Sequence, residues 1–167
     1  MGQARKAREK AARRYKPEKI DLLLVAEAPP AALDRYLYFE EVWTGDSLFR
    51  HVYSGITGKL ASRVHKADQL EELKELGVFL IDLKPDPLDG SDLRQFVPGL
   101  VARCRALEPQ RIILVKANVF DLAVDDLIEA GLPVIEERIP FPGSGQQARF
   151  RHLFALALKG RPTNRPE

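Results

Sequence analysis

Three polar side chains of this sequence could bind a ligand, because each stands directly after an apolar run that reads as a buried strand. They are Glu27 after Leu22–Val25, Asp82 after Val78–Ile81, and Lys116 after Arg111–Val115. In open α/β sheets, ligands bind at the carboxyl ends of the strands. Pro29 and Pro30 also prevent a helix from beginning directly after Glu27. The spacing therefore predicts a ligand site that contains two carboxylates and a lysine.

A fourth element of this site is the loop Pro140-Phe-Pro-Gly-Ser-Gly145, which precedes the last apolar helix pattern. Gly143, Ser144 and Gly145 leave backbone amides open near a helix N-terminus, and such amides can hold a phosphate. The loop is not a P-loop, because the Lys-Ser/Thr pair of that motif is missing.

Other interpretations of these residues remain open. Glu27 can be a loop carboxylate that caps its strand, and Asp82 can cap the next turn or pair with Lys84 or Lys116. The aromatic run of residues 36–43 is dense for a loop and forms either core packing or a stacking surface for a flat ligand. Its members are Tyr36, Tyr38, Phe39 and Trp43.

The elements that must position these groups alternate along the chain. Strands are predicted at 20–26, 78–81, 111–115 and 133–135, and helices at 2–16, 48–54, 59–65, 68–76, 91–107, 118–130 and 146–158. Buried strands alternating with helices predict an α/β fold, a three-layer αβα sandwich around a four-stranded parallel sheet. We expect a basic N-terminal arm at 1–19, one domain at 20–158 and a flexible tail at 159–167.

The net charge of +2 conceals a strong asymmetry. Residues 1–19 hold eight Lys and Arg against two Glu, and residues 149–167 hold five against one, so the body between them carries −8. Basic ends suit a polyanion partner, and the alternatives are a solubilising tail or an N-terminal helix that lies on the acidic body of its own chain.

Composition excludes several classes of protein. No apolar run is long enough for a transmembrane helix, and no apolar segment of the kind found in secretory signals follows the basic N-terminus. Cys104 is the only cysteine, which excludes an internal disulfide and a four-thiolate metal site. We expect a cytoplasmic protein with no metal, no cofactor and no membrane partner. The oligomeric state is not indicated.

Four segments carry a resemblance to a known family. They are Ala26-Glu-Ala-Pro-Pro30, Val78-Phe-Leu-Ile-Asp-Leu-Lys-Pro85, Pro109-Gln-Arg-Ile-Ile-Leu-Val115 and Pro140-Phe-Pro-Gly-Ser-Gly145. Their order resembles the uracil-DNA glycosylase superfamily across 20–158, and most of all its thermostable iron–sulfur branch, in which the first strand ends in Gly-Glu-Ala-Pro-Gly. The resemblance implies a uracil-DNA glycosylase-like fold and a protein that acts on nucleic acid.

The resemblance also implies roles for the residues in these segments. Glu27 would orient or activate the attacking water, Ala28 would lie against the substrate, and Tyr38 or Phe39 would stack on a flipped base. Asp82 would read the edge of the base. The loop that would hold phosphate and polarise the base carbonyl contains Phe141, Ser144 and Gln146. Contacts to the nucleic-acid backbone are expected from Lys84, Lys116, Gly143, Gly145, Arg149 and Arg151.

Several positions depart from the family pattern. Ala26 and Pro30 replace glycines, the cluster cysteines are absent, and Phe141 replaces a histidine that would donate a hydrogen bond. Asp82 replaces an asparagine, and an ionised carboxylate only accepts hydrogen bonds. It suits the adjacent donors of guanine better than the edge of uracil.

Two functions follow from these observations. The first is a DNA glycosylase-like protein that binds nucleic acid and excises a modified or mismatched base by water attack on the N-glycosidic bond. The second is a catalytically inactive module of the same fold that binds nucleic acid, a nucleotide or a protein partner.

Overall fold

The fold is built on three parallel strands, and a computed structural model describes it for residues 2–163. The strands are β1 (Leu22–Ala26), β2 (Val78–Asp82) and β3 (Ile112–Leu114), in the order β2-β1-β3. β1 is buried along its whole length, as expected of a run of apolar residues in a central parallel strand. The predicted α/β class with a parallel sheet is confirmed.

The predicted fourth strand at 133–135 is wrong. Val134 forms only an isolated parallel bridge with Ile112. Pro133 has no amide hydrogen to donate to a ladder. The pairing of this segment with β3 consists of the amide of Ile112 donating to the carbonyl of Pro133 and the amide of Ile135 donating to the carbonyl of Ile112. The amide of Glu137 then turns back to the carbonyl of Ile135, which uses the two groups that would extend the ladder, so the sheet stays open with three strands.

Six helices surround the sheet in the described part of the chain. They are α1 (Gln3–Arg14), α2 (Ser47–Thr57), α3 (Lys66–Glu75), α4 (Val97–Leu107), α5 (Ala117–Glu129) and α6 (Gln147–Lys159). α2 packs against α6 and α4 packs against α5. With right-handed crossovers from β1 to β2 and from β2 to β3, the helices lie on both faces of the sheet. None of these helices has the length and apolar character needed to cross a membrane.

The helix predicted at 59–65 is absent, and α3 begins at Lys66 rather than at Asp68. Gly58 ends α2 in the left-handed conformation at φ +72°. The segment that follows exposes Leu60 and Val64 almost completely. A helix there would have no apolar face to bury, and short helices are not stable without one.

The basic N-terminal helix lies on the body of the chain. Arg5 and Arg8 each form an ion pair with Asp86 at 3.2 Å, and the ring of Tyr15 stacks on that of Tyr38. The basic N-terminus thus forms a helix that packs on the acidic body of its own chain and is not a free solubilising tail. Lys6, Lys10 and Arg13 remain exposed on its outer face.

Part of the predicted tail at 159–167 is also described. The amide of Thr163 donates to the carbonyl of Val134 at 3.1 Å, so the chain packs back beside the isolated bridge. Residues 164–167 lie outside the described residues, as does Met1.

Candidate functional site

A cavity of about 400 Å³ opens at the carboxyl end of β1 and is called the main cavity below. Its apolar wall includes Ala26, Leu37 and Leu80, and its carboxylate, lysine and arginine side chains come from four different segments. Those residues are Glu27, Arg35, Asp46, Asp82 and Lys116. Ala26 and Asp82 are register partners on β1 and β2, so the two strands bring their ends together here.

Glu27 is held by two side chains from the end of β3 and the start of α5. Lys116 Nζ donates to Glu27 Oε1 at 2.7 Å, and Asn118 Nδ2 donates to Glu27 Oε2. The Glu27 side chain is 9% exposed and that of Lys116 is 36% exposed. Asn118 Oδ1 is buried and has no hydrogen-bond donor among residues 2–163. The arrangement fixes one carboxylate oxygen on each donor, so the orientation of Glu27 is defined.

Asp82 is also buried, but no described side chain donates a hydrogen bond to its carboxylate. It also lines a smaller cavity of about 220 Å³ on the side of α1. Arg103 donates to the backbone carbonyls of Asp82 and Leu83 and forms no hydrogen bond with the carboxylate of Asp82. Burial raises the pKa of Asp82 to about 7, against a smaller lowering by the charges of Arg103 and Arg8.

A second ion pair shapes the part of the cavity wall that residues 35–46 form. Lys66 Nζ lies 2.9 Å from Asp46 Oδ2, and the Lys66 side chain is only 1% exposed. The same ammonium donates to the carbonyl of Tyr36 and lies 4.7 Å from the centre of the Phe49 ring. Burial lowers the pKa of Lys66, while Asp46 acts in the opposite direction. Lys66 therefore ties together Tyr36 and Asp46, which both line the cavity.

Arg35 contributes a cation to the cavity wall. Its guanidinium lies against Gly45, where a Cβ atom would come within 2.5 Å of Arg35 Nη1. Gly45 also adopts φ +69°, which side chains rarely allow. No salt bridge or hydrogen bond of the Arg35 guanidinium occurs within residues 2–163. The cation is therefore held in place by packing and is available to a ligand.

The structure brings five of the predicted site residues into the lining of the main cavity, namely Glu27, Ala28, Asp82, Lys116 and Phe141. Of the predicted stacking residues, Tyr38 lies in the core, where its hydroxyl accepts from the amide of Leu80 at 2.7 Å. Phe39 lines a different hollow beside α1. Their neighbour Tyr36 lines the cavity instead. Its ring packs edge-on against the ring of Phe39.

The remaining predicted residues lie away from this lining. Lys84 is buried and donates to the carbonyl of Pro87 at 2.9 Å, so it closes its own loop. Ser144, Gly145 and Gln146 are exposed on the loop before α6, and Gly143 is half-buried there. Arg149 and Arg151 are exposed in the first half of α6. The loop is joined to α2 by the hydroxyl of Ser47, which donates to the carbonyl of Pro142.

Sequence reasoning missed Arg35, Asp46, Lys66 and Asn118 as parts of the site. Asn118 carried a usable signal, because it follows Lys116 by two residues after a buried strand. The other three carried none, because their contacts join residues 10 to 30 positions apart through irregular segments. Tyr36 was part of the recognised aromatic run, yet its sequence did not distinguish it from Tyr38 and Phe39.

No group of three His, Cys, Asp or Glu side chains within residues 2–163 is arranged to hold a metal ion. The lining of the main cavity offers carboxylates, a lysine, an arginine and apolar surface, which suit an organic ligand with polar edges.

Comparisons with family models, with curated proteins and with solved structures found no match to this chain.

Proposed function

We propose that the main cavity is a nucleobase pocket and that the chain is a uracil-DNA glycosylase-like protein. In this proposal the protein binds nucleic acid, takes one base into the cavity and supports water attack on the N-glycosidic bond through Glu27. The observation that carries it is the position of Glu27 in the cavity wall, at the end of the central strand, with Asp82 on the neighbouring strand.

The properties of the cavity support a nucleobase as ligand. Its volume of about 400 Å³ lies within the range of small-molecule pockets, and its wall combines apolar surface with a few polar groups. Tyr36 supplies an aromatic ring to the lining. All nucleobases can stack on such a ring, because each has a flat π-face.

The surroundings of Glu27 support a role beside a water molecule. Lys116 and Asn118 hold its two oxygens, which keeps the carboxylate in one orientation. A carboxylate so placed would orient the water and balance positive charge that develops on the sugar.

A second candidate function is binding without cleavage, and Phe141 favours it. Its ring lines the cavity where the resembling family has a histidine donor, and Ser144 and Gln146 are not part of the lining. Loss of one donor to a developing oxyanion costs about 3–4 kcal/mol, or about 100- to 1000-fold in rate.

The test is excision from labelled oligonucleotides that carry uracil, hypoxanthine, xanthine or a mismatch, in single and double strands. Abasic sites are revealed by alkaline cleavage. We expect product with the wild-type chain, loss of product with Glu27→Gln, and no change with Glu129→Gln, a matched control because Glu129 is exposed at the end of α5.

Excision that survives Glu27→Gln at the wild-type rate would contradict the role of Glu27. Salt-dependent binding of the oligonucleotides without any abasic product would support the binding module instead.

A further inference from the structure

Two charges of the main cavity remain unmatched once its ion pairs are set aside. Glu27 is paired with Lys116, and Asp46 is paired with Lys66. Arg35 and Asp82 have no salt bridge within the described part of the chain. A ligand that matched this cavity would carry hydrogen-bond donors for Asp82 and an anionic group for Arg35.

Asp82 is placed to read one edge of a flat ligand. Leu80 and Asp82 are two residues apart on β2, so both side chains point to the sheet face that lines the cavity. The Asp82 side chain is more than nine-tenths buried and receives no hydrogen bond from any residue of 2–163. An unpartnered buried carboxylate is costly, and a ligand that donates to it removes much of that cost.

The donor pattern that fits a carboxylate is two N–H groups side by side. Among the four standard DNA bases and uracil, guanine alone presents two adjacent donors on its Watson–Crick edge, N1–H and the exocyclic amine. Adenine and cytosine place an acceptor beside their amine, and uracil places a carbonyl on each side of its N–H. These edges would set an acceptor against an ionised Asp82.

Arg35 is suited to the anionic part of the same ligand. A guanidinium binds phosphate oxygens through two parallel hydrogen bonds. Arg35 is half-buried, and its guanidinium is held against Gly45 without a carboxylate partner among residues 2–163. Asp82 is the more deeply buried of the two, which suits a base inside the cavity and a phosphate nearer to solvent.

We propose that the main cavity is selective for a guanine nucleotide, with Asp82 accepting from N1–H and the exocyclic amine and Arg35 binding the phosphate. This inference rests on the proposed function, because it names the base that the nucleobase pocket takes. A free guanine nucleotide and a guanine within a strand offer the same chemistry, and the experiment below separates them.

The ionisation of Asp82 gives the inference a pH signature. Its pKa is raised to about 7 by burial, so the carboxylate gains its charge between pH 6 and pH 8. The charged and titratable groups around it come from α1, α4, the aromatic segment and the neighbouring strand ends. They are Arg5, Arg8, Glu9, Arg103, Tyr36, Glu27 and Lys116. The ionised fraction rises about tenfold over this interval, and guanine affinity should rise with it.

Isothermal titration calorimetry with guanosine 5′-monophosphate, uridine 5′-monophosphate, guanosine and a thymidine oligonucleotide holding one guanine tests this. At pH 8 we expect the guanine nucleotide to bind at least about tenfold more tightly than the uridine nucleotide, as one charge-assisted hydrogen bond implies. Binding of the oligonucleotide as tight as that of the free nucleotide indicates the strand as the source of the ligand, and much weaker binding indicates the free nucleotide.

Variants separate the two contacts. Asp82→Asn should lower affinity for the guanine nucleotide about 10- to 100-fold and remove its dependence on pH. Arg35→Gln should lower affinity for the nucleotide about tenfold and leave guanosine unchanged. Arg50→Gln is the matched control, because Arg50 is exposed on α2 and does not line the cavity. Circular dichroism spectra establish that each variant is folded.

Equal or tighter binding of the uridine nucleotide at pH 8 would overturn the inference and leave the nucleobase pocket standing. An Asp82→Asn variant that keeps the guanine preference would also overturn it. If none of the probes binds, the inference is overturned, and the proposed function then stands or falls by the excision assay. The excision assay with Glu27→Gln gives an independent result, so the two failures can be distinguished.

Discussion

Glu27 and Asp82 lie at the ends of neighbouring strands, yet the fold treats their carboxylates in opposite ways. Glu27 receives hydrogen bonds from Lys116 and Asn118, whereas Asp82 receives none from residues 2–163 and has its pKa raised to about 7. Asp46, the third acid of the cavity, is paired with the buried Lys66. The cavity therefore contains two acids that are paired with a lysine and one acid, Asp82, that has no such partner among residues 2–163.

In one part of the cavity the carboxylates of Glu27 and Asp46 are already held by protein side chains. In the other part the carboxylate of Asp82 has no such partner among residues 2–163 and could accept hydrogen bonds from a ligand. The two paired acids have their orientation fixed by the hydrogen bond and the charge of their partners. An acid that is buried without partners is costly to ionise, and natural folds retain such groups mostly where function needs them. The comparison predicts opposite consequences when each acid is neutralised.

The largest expected effect is a gain of stability in Asp82→Asn. The pKa of Asp82 is about 7 in the folded chain and 3.8 in the unfolded chain, so only the unfolded chain is ionised between these values. The free energy of unfolding of the wild type is therefore reduced as pH rises through this window, and the loss is complete above pH 7. At pH 8 the variant should be more stable by about 4 kcal/mol, and by less at pH 5.

Urea unfolding of both chains at pH 5 and pH 8 measures this gain. Asp34→Asn is the control, because Asp34 is an exposed aspartate in the loop after β1. A variant that is less stable than the wild type at pH 8 would show that Asp82 has favourable partners as Glu27 does, and the contrast between the two acids would disappear.

The next effect is a loss of stability in Asp46→Asn. This change leaves the ammonium of Lys66 buried without its acid, and breaking a buried pair from one side costs about 3 kcal/mol. The double variant with Lys66→Met should recover most of the loss, since both charges are then gone. Thermal or urea unfolding of the wild type, both single variants and the double variant measures the coupling. Additive effects would mean that the two side chains act independently.

A smaller loss of stability is expected for Glu27→Gln, about 1 kcal/mol. Lys116 is partly exposed, so water can solvate its ammonium once the carboxylate charge is removed. The same variant should lose excision, which separates a role in chemistry from a role in folding. A loss as large as that of Asp46→Asn, measured in the same unfolding experiment, would place Glu27 among the structural ion pairs.

The ends of the strands were predictable from sequence because the apolar runs before Glu27, Asp82 and Lys116 fix where each strand stops. Because the strands are parallel, their carboxyl ends and the residues that follow them lie at the same edge of the sheet. The fourth strand failed because its three-residue run begins with Pro133, and the amide of Glu137 turns back to the carbonyl of Ile135 where the ladder would continue. The periodicity of apolar residues predicts regular helices and strands, and it does not predict local turns of this kind.

The part of the cavity wall that residues 35–46 form was not predictable in the same way. Tyr36, Tyr38 and Phe39 are adjacent in an irregular segment, where no repeat decides which ring faces the core and which faces a cavity. Lys66 reads as an exposed lysine at a helix start, and only the approach of Asp46 and Phe49 in space explains its burial. Such contacts depend on tertiary packing, which local sequence does not encode.

The smallest expected effect is a shift in the pKa of Asp82 when Arg8 is replaced and the carboxylate itself is left unchanged. Arg8 is one of two arginines whose charge lowers this pKa against the effect of burial. In Arg8→Gln the pKa should therefore move upward from about 7, and the loss of stability with pH should extend to higher pH. Carboxyl carbon NMR shifts followed against pH, with Asp82→Asn to assign the signal, measure it.

Arg5→Gln is the matched control for this change. Arg5 and Arg8 both pair with Asp86, so either substitution weakens the anchoring of α1 on the body. Only Arg8 is among the charges that lower the pKa of Asp82. If both variants moved the Asp82 signal equally, the shift would reflect loosened packing of α1 and a wetter carboxylate. A shift confined to Arg8→Gln would show that Asp82 is buried, unpaired and governed by charges at longer range, unlike Glu27.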